Sequence, residues 1–198
     1  MLKDPFHWFP DLLFGSILGY SFLLISLIDS LLPRIFNSRR KAPAVIVQDR
    51  WSFLLIQIAE ILTLGGGLIL RYFRIGITSA FFQYAGLVIM ISGFLFRSWA
   101  MLSLGRYFSR VVEIENGHHL ITTGPYRYVR HPAYTGMLMI FLGALLGIGT
   151  WAGALFGMLV LGAATLYRIR VEEKVLLQQF GEEYLQYGAR RGRLLPGF

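Results

Sequence analysis

Side chains that can do chemistry are concentrated in one polar stretch, 116–134, with the sequence NGHHLITTGPYRYVRHPAY. The stretch contains three histidines and two arginines, namely His118, His119, His131, Arg127 and Arg130. Imidazole gains and loses protons near neutral pH, and a guanidinium group binds a carboxylate or phosphate through paired hydrogen bonds. The stretch therefore predicts a site that binds anions and exchanges protons. The alternative is that these side chains only contact lipid headgroups.

Two prolines constrain the backbone of this stretch. Pro125 follows Gly124, and Pro132 follows His131. Proline fixes its own φ angle and pushes the preceding residue into an extended conformation. Proline also suits the first turn of a helix, so a helix is expected to begin near Pro132. Such a helix would direct free N–H groups towards a bound carboxylate or phosphate.

Several short motifs follow one another in the second half of the chain. They are Gly117-His118-His119-Leu120, Gly124-Pro125-Tyr126, Arg130-His131-Pro132-Ala133-Tyr134, Glu172-Glu173 and Phe180-Gly181-Glu182-Glu183-Tyr184. In order and spacing, this half resembles the integral-membrane methyltransferases typified by isoprenylcysteine carboxyl methyltransferase. The phospholipid N-methyltransferases are similar. The resemblance covers approximately residues 105–195, and membrane sterol reductases carry a similar Arg-His-Pro-x-Tyr run.

The resemblance implies S-adenosylmethionine as the methyl donor, held between the loop 105–131, the last helical hairpin and the C-terminal segment. The residues then expected to bind the donor are His118, Leu120, Gly124, Tyr126, His131, Pro132 and Tyr134. Arg130, Glu172 and Glu173 are expected to be catalytic. Arg130 would orient an acceptor carboxylate or phosphate, because guanidinium geometry matches either group. Adjacent glutamates on a helix point about 100° apart, so one can face the site while the other faces solvent or a cation.

The composition is that of a membrane protein. Of the 198 residues, 55% are hydrophobic, and the mean hydropathy is +0.56. Most of the formal net charge of +8 comes from residues outside the apolar segments, where anionic headgroups are the expected partners rather than nucleic acid. The absence of cysteine excludes disulfides, thiolate zinc sites and a cysteine nucleophile. The histidines lack helical metal-ligand spacing, so no metal site is predicted.

Five apolar segments can position the polar stretch, at 12–32, 51–72, 81–104, 133–149 and 151–169. The first is expected to end at Pro33, and the last two to form an antiparallel hairpin. Residues 168–190 keep apolar side chains at near-helical spacing, which predicts an amphipathic surface helix with a break at Gly181. A short extended piece is predicted at 110–115.

The predicted fold is therefore an all-α integral membrane protein with about five transmembrane helices. It includes a C-terminal helical hairpin, an ordered cytoplasmic loop and a C-terminal amphipathic helix. Residues 1–198 would form one membrane domain, with three N-terminal helices in 12–104 and a cofactor-binding catalytic half in 105–198. The glycine run 65–67 and the pairs Gly143/Gly147 and Gly153/Gly157 predict close helix packing, the pairs within the hairpin.

The distribution of basic residues predicts the orientation. Lysine and arginine are abundant in 34–50, in 105–131 and after 168, which places these segments on the cytoplasmic side and the N-terminus outside. The loop after the third apolar segment and the acidic end of the fifth then lie on the same side. They can form one site there.

The resulting hypothesis is methyl transfer to a lipophilic acceptor that enters from the bilayer, with the carboxylate of an isoprenylated cysteine or analogue as the expected acceptor. Membrane lipids are expected partners, and no obligate protein partner is indicated. The open alternatives are a phospholipid (ethanolamine) N-methyltransferase, a small-thiol S-methyltransferase, a sterol-type NADPH reductase and a non-catalytic lipid-binding or assembly protein. An amine acceptor would need a base, such as a glutamate, to remove its proton.

Overall fold

A computed structural model describes residues 12–37, 44–46, 50–108, 113–115 and 120–197, and this part of the chain is almost entirely helical. Its elements in chain order are α1 (Leu12–Asn37), β1 (Ala44–Ile46), α2 (Arg50–Tyr72), α3 (Ala80–Leu104), β2 (Glu113–Glu115), α4 (Pro132–Ile148), α5 (Trp151–Phe180) and α6 (Glu182–Ala189). Single 3-10 turns lie at Gly105–Tyr107 and Gly124–Arg127. The all-α membrane class is confirmed.

Among the described residues, four helices are long and apolar enough to cross a bilayer, namely α1, α2, α3 and α5. The fourth apolar segment forms α4, which has only 17 residues. At 1.5 Å per residue it is about 25 Å long, shorter than the hydrocarbon core. It lies at the centre of the bundle, in contact with α1, α2, α3 and α5. Because neighbours surround it, α4 is apolar on all sides.

Helices α3 and α4 approach each other closely at glycines. A Cβ atom added to Gly143 would lie 2.4 Å from the main-chain nitrogen of Met90. One added to Gly93 would lie 2.8 Å from the main-chain nitrogen of Ile140. Since the obstructing atoms belong to the backbone, no side-chain rotation can make room. Small residues are therefore required along this contact, as is common between membrane helices.

The glycine pairs were predicted to pack the two hairpin helices against each other. This prediction was wrong for three of the four glycines, which face other helices. Gly147 faces Leu18 of α1, and a Cβ on Gly153 would lie 3.0 Å from the Cα of Gly67 in α2. Only Gly157 meets the other hairpin helix, at Leu145, and it also meets α2. The reason is that α4 packs mainly on α3, and α5 mainly on α2.

The glycine run 65–67 serves packing at two of its three positions. An added Cβ would meet the ring of Phe156 at Gly66 and the side chain of Leu145 at Gly67, while at Gly65 it would meet nothing within 4 Å.

The ends of two helices differ from the prediction. α1 does not end at Pro33 but continues to Asn37, because a membrane helix tolerates the loss of one main-chain donor. The predicted amphipathic helix does not begin at residue 168, since α5 runs without interruption to Phe180, and only the part after Gly181 forms a helix of its own, α6. Ile169 and Val175 are buried and extend the inner face of the helix. The break at Gly181, which has a φ of 51°, is confirmed.

The predicted extended piece is confirmed as β2 over 113–115, while residues 110–112 lie outside the described part of the chain. It pairs antiparallel with β1, and Val45 lies opposite Ile114. This pairing links the connector after α1 to the segment after α3.

Replacement of Gly143 by alanine tests the α3–α4 contact. The added methyl group meets backbone atoms, so Gly143→Ala is expected to cost about 1–3 kcal/mol, the usual range for overpacking. Gly162→Ala is the matched control, because an added Cβ there meets nothing within 4 Å. Thermal unfolding in detergent, followed by circular dichroism, should show a midpoint lowered by several degrees only for Gly143→Ala. Equal midpoints for the two variants would contradict the close contact.

Candidate active site

A cavity of about 280 Å³ lies at one end of α4 and extends into the bundle. Its wall in the bundle is mainly apolar and includes Phe22, Ile25, Phe53, Ile56, Met137, Ile140 and Phe141. Its polar end is lined by Leu120, Tyr126, Arg130, His131, Tyr134, Glu172, Tyr184 and Tyr187. One cavity thus joins the chemically active side chains to the membrane-embedded part of the protein.

The carboxylate of Glu173 connects three parts of the chain behind this polar end. Nη1 of Arg130, just before α4, lies 2.7 Å from its Oε1. Arg193, after α6, contacts Oε2 through Nη2 at 2.8 Å and donates from Nε at 3.0 Å. Nε2 of His131 lies 3.5 Å from Oε1. The Glu173 side chain is only 8% exposed, and the guanidinium groups of Arg130 and Arg193 make its burial tolerable.

Glu172 has a different environment and lines the cavity. The hydroxyl of Tyr134 donates to its Oε2 at 2.9 Å. That hydroxyl in turn accepts from Nε of Arg168 at 3.2 Å, and Nη1 of Arg168 donates to the hydroxyl of Ser52. The two glutamates therefore point in different directions, as expected for adjacent helical positions. Glu172 faces the cavity, and Glu173 faces the arginines.

Three tyrosines add neutral polar groups and aromatic faces to the polar end. The Tyr187 hydroxyl donates to the main-chain oxygen of Tyr126 at 2.8 Å. Burial raises the pKa of Tyr187 to about 12, and burial also raises the pKa of Tyr126 and of Tyr184. These phenols therefore remain protonated at neutral pH. Aromatic faces of this kind attract cations.

An ion pair in the bundle fixes the start of α4 relative to α1 and α3. Nε of Arg97 donates to Oδ1 of Asp29 at 2.5 Å, and its Nη2 donates to Oδ2 at 3.1 Å. The remaining nitrogen, Nη1, donates to the main-chain oxygen of Ala133 at 2.7 Å. Asp29 and Arg97 both line the cavity. A paired charge at this depth holds the wall of the cavity in place.

Most of the residues predicted from the sequence meet in this region. Six of them line the cavity: Leu120, Tyr126, Arg130, His131, Tyr134 and Glu172. Gly124 and Pro132 shape the backbone instead. Gly124 has a φ of 60°, and Pro132 is buried at the first position of α4. His118 lies outside the described residues.

The expectation of free N–H groups at the start of α4 was largely wrong. The N–H groups of Arg130 and His131 donate to the carbonyl oxygens of Gly192 and Arg193, each at 2.9 Å. Those of Tyr134 and Thr135 donate to the oxygen of His131. The C-terminal segment thus occupies the main-chain donors of the two residues that precede α4.

Sequence reasoning missed three arginines of this site, Arg97, Arg168 and Arg193. Two of them gave a usable signal, because Arg97 and Arg168 are charged residues within apolar helical segments. Arg193 gave none. It lies in a short basic tail, and only the folded backbone brings it to Glu173.

The fold and this arrangement define a class, the polytopic helical membrane proteins with a polar site at the end of a short central helix. A solved structure of the eukaryotic intramembrane Ras methyltransferase ICMT has the same fold, with a TM-score of 0.63 and 22% sequence identity. The match covers 91% of this chain and 66% of that chain.

Sequence comparisons show which proteins this chain resembles. Residues 86–178 match the model of the isoprenylcysteine carboxyl methyltransferase (ICMT) family. A probable protein-S-isoprenylcysteine O-methyltransferase of Oryza sativa subsp. indica is 38% identical over 118 residues, which cover 59% of this chain and 62% of that protein. The protein-S-isoprenylcysteine O-methyltransferase of Schizosaccharomyces pombe is 34% identical over 147 residues, covering 69% of this chain and 62% of that protein. The chain thus spans less than two thirds of the length of these relatives.

Residues 86–178 are thus similar to the ICMT family of integral-membrane methyltransferases. The resemblance recognised from the sequence motifs is confirmed.

The different environments of the two glutamates predict different effects on stability. Glu173→Gln leaves Arg130 and Arg193 without their anion and should cost about 2–3 kcal/mol, somewhat less than a fully buried pair because Arg193 is half exposed. Glu172→Gln keeps an oxygen that accepts from Tyr134 and should cost less than about 1 kcal/mol. Thermal unfolding of the purified protein without added ligand measures both.

Glu182→Gln, at an exposed position of α6, is the control for loss of one negative charge. If Glu172→Gln destabilised the protein as much as Glu173→Gln, the assignment of Glu173 as the structural carboxylate would be refuted.

Proposed function

We propose that the protein transfers a methyl group from S-adenosylmethionine to the carboxylate of a lipophilic acceptor, an isoprenylated cysteine or an analogue of it. The observation that carries this proposal is a continuous cavity with a polar, charged end and an apolar extension into the bundle. An amphiphilic acceptor fits such a cavity, with its polar group at Arg130 and its apolar chain among the helices. The names of the relatives support the same acceptor class.

The polar end suits a methyl donor that carries a positive charge. The carboxylate of Glu172 and the neutral phenols of Tyr126, Tyr184 and Tyr187 all face the cavity. Within the described part of the chain, the buried Nε2 atom of His131 makes no hydrogen bond. These groups fit a sulfonium cation and the polar substituents around it. When bound there, S-adenosylmethionine would supply an electrophilic methyl group.

The proposed donor-binding residues are His118, Leu120, Gly124, Tyr126, His131, Pro132 and Tyr134. Tyr126, His131 and Tyr134 would contact the donor through side chains. Gly124 and Pro132 would act by holding the loop in shape.

Arg130 is the proposed acceptor-binding residue. Its Nη1 is engaged with Glu173, but its buried Nε makes no hydrogen bond to any described residue. The side chain lines the cavity, so it can orient an acceptor carboxylate. Such a carboxylate is already ionised at neutral pH and needs no general base. The contribution of the site is then orientation and the exclusion of water.

An ethanolamine phospholipid is the second candidate acceptor, because Glu172 faces the cavity and could accept the proton of an amine.

The site is proposed to lie on the cytoplasmic side of the membrane. This placement is based on the basic residues after α1, after α3 and at the C-terminal end.

Donor binding and acceptor choice can be tested together. Purified protein should bind S-adenosylhomocysteine in calorimetry. With labelled S-adenosylmethionine, it should methylate a farnesylated cysteine analogue in preference to ethanolamine phospholipids or small thiols. Absence of donor-product binding would refute the methyltransferase proposal. If only the phospholipid were methylated, the protein would still be a methyltransferase, but the proposed carboxylate acceptor would be wrong.

Substitution of Arg130 tests the role of this residue in acceptor binding. Arg130→Lys keeps a positive charge near Glu173 but loses the planar guanidinium group. It should lower kcat/KM for the carboxylate acceptor about 10- to 100-fold, the value of a charged hydrogen bond, with little effect on S-adenosylhomocysteine affinity. Arg127→Ala, an exposed arginine of the same loop, is the control and should behave as wild type. An unchanged kcat/KM in Arg130→Lys would exclude this role.

A further inference from the structure

We infer that Arg193 is a positioning residue: through the carboxylate of Glu173, the C-terminal tail holds Arg130 in the orientation that faces the cavity. The inference rests on the proposed function, because it assigns to the tail a part in acceptor binding. It concerns a residue that lies beyond the segment 86–178 matched by the family model.

The tail is fixed to the site by its backbone. Gly192 forms a parallel bridge with Val129. The N–H groups of Arg130 and His131 donate to the carbonyl oxygens of Gly192 and Arg193, each at 2.9 Å. These bonds align residues 192–193 with the segment that leads into α4.

Two further bonds continue this attachment along the tail. The Thr135 hydroxyl donates to the carbonyl oxygen of Leu194 at 2.8 Å, and Nε of Arg191 donates to that of Arg127 at 2.9 Å. Residues 191–194 therefore follow the loop and the first turn of α4, so the position of Arg193 is set by the same residues that form the site.

The side chain of Arg193 completes the coordination of Glu173. Oε1 of Glu173 lies 2.7 Å from Nη1 of Arg130, whereas Oε2 is contacted by Nη2 and Nε of Arg193, at 2.8 and 3.0 Å. The carboxylate thus contacts a guanidinium group at each of its two oxygens. Loss of Arg193 would leave Oε2 buried without these donors, and the carboxylate would be free to rotate.

Rotation of this carboxylate would also move Arg130. Nη1 of Arg130 forms an ion pair with Oε1 at 2.7 Å, and an added Cβ on Gly188 would lie 3.3 Å from the same Nη1, so Arg130 has little room to move. The orientation of Arg130 in the cavity wall therefore depends on Glu173, and that of Glu173 depends on Arg193. Arg193 itself does not line the cavity, so it acts through the other two residues.

A double-mutant cycle tests this chain of contacts. Methyl transfer to a farnesylated cysteine analogue is measured for wild type, Arg193→Ala, Glu173→Gln and the double variant, together with S-adenosylhomocysteine affinity and the unfolding midpoint. Arg193→Ala should lower kcat/KM for the acceptor about tenfold, the low end of the effect of losing a charged hydrogen-bonded partner. In the Glu173→Gln background, the same change should add almost no further loss.

Two variants separate positioning from a general effect on folding. Arg193→Lys restores the charge but not the paired donors, so kcat/KM should recover in part at an unchanged unfolding midpoint. Arg190→Ala, at an exposed position just before the attached residues, should match wild type.

The inference would be overturned if Arg193→Ala lowered kcat/KM by the same factor in the wild type and in Glu173→Gln. It would also be overturned if Arg193→Ala had the kcat/KM of the wild type. In either case the proposed function would stand. If Arg193→Ala fails to fold, wild-type kcat/KM in Arg193→Lys would overturn the inference as well. Failure of the wild type to bind S-adenosylhomocysteine and to transfer a methyl group would overturn both proposals.

Discussion

The buried carboxylate of Glu173 is the constraint on which the polar end of the protein depends. An ionised carboxylate can be removed from water only where cations and hydrogen-bond donors replace its hydration. Arg130 and Arg193 supply these, one from the loop before α4 and the other from the tail after α6. Because the three residues lie far apart in sequence, satisfying one charge brings α5, the start of α4 and the C-terminal tail together.

The cavity exists because the central helix is shorter than its neighbours. α4 has 17 residues and starts at Pro132, whereas α5 has 30 residues and runs antiparallel to it in the hairpin. Tyr134, in the first turn of α4, is bonded to Arg168, so α5 continues for three further turns beyond this level. The space left beyond the end of α4 is enclosed by the loop after α3 and by α6. A short, tightly packed helix thus provides both the rigid frame and the room for a site.

The sequence was sufficient to predict the apolar helices and the start of α4. It also predicted that Arg130 and His131 lie near Glu172 and Glu173, because hydropathy and the distribution of basic residues place these segments at the same end of the bundle. The continuation of α5 to Phe180 was not predictable in the same way. Its charged residues resemble a surface helix until Glu172 and Arg168 are seen to point into a cavity. The partner of each helix could not be predicted either, since Gly147 and Gly153 indicate close packing but do not show which helix lies opposite them. Arg193 is indistinguishable in sequence from its basic neighbours.

The two glutamates have different electrostatic roles: Glu173 pairs with arginines, and Glu172 faces the cavity. This difference supports the proposed anionic acceptor. Glu173 is one negative charge between two guanidinium groups, so the cluster with Arg130 and Arg193 keeps a net positive charge, which Arg130 presents to the cavity. Glu172 is also an anion, but its carboxylate is held by the Tyr134 hydroxyl, which itself accepts from Arg168. The proposed acceptor carboxylate would therefore meet a cation at Arg130, while Glu172 would remain available to the proposed cationic donor. An amine acceptor would have to approach the same positive cluster in order to reach Glu172, which opposes its binding.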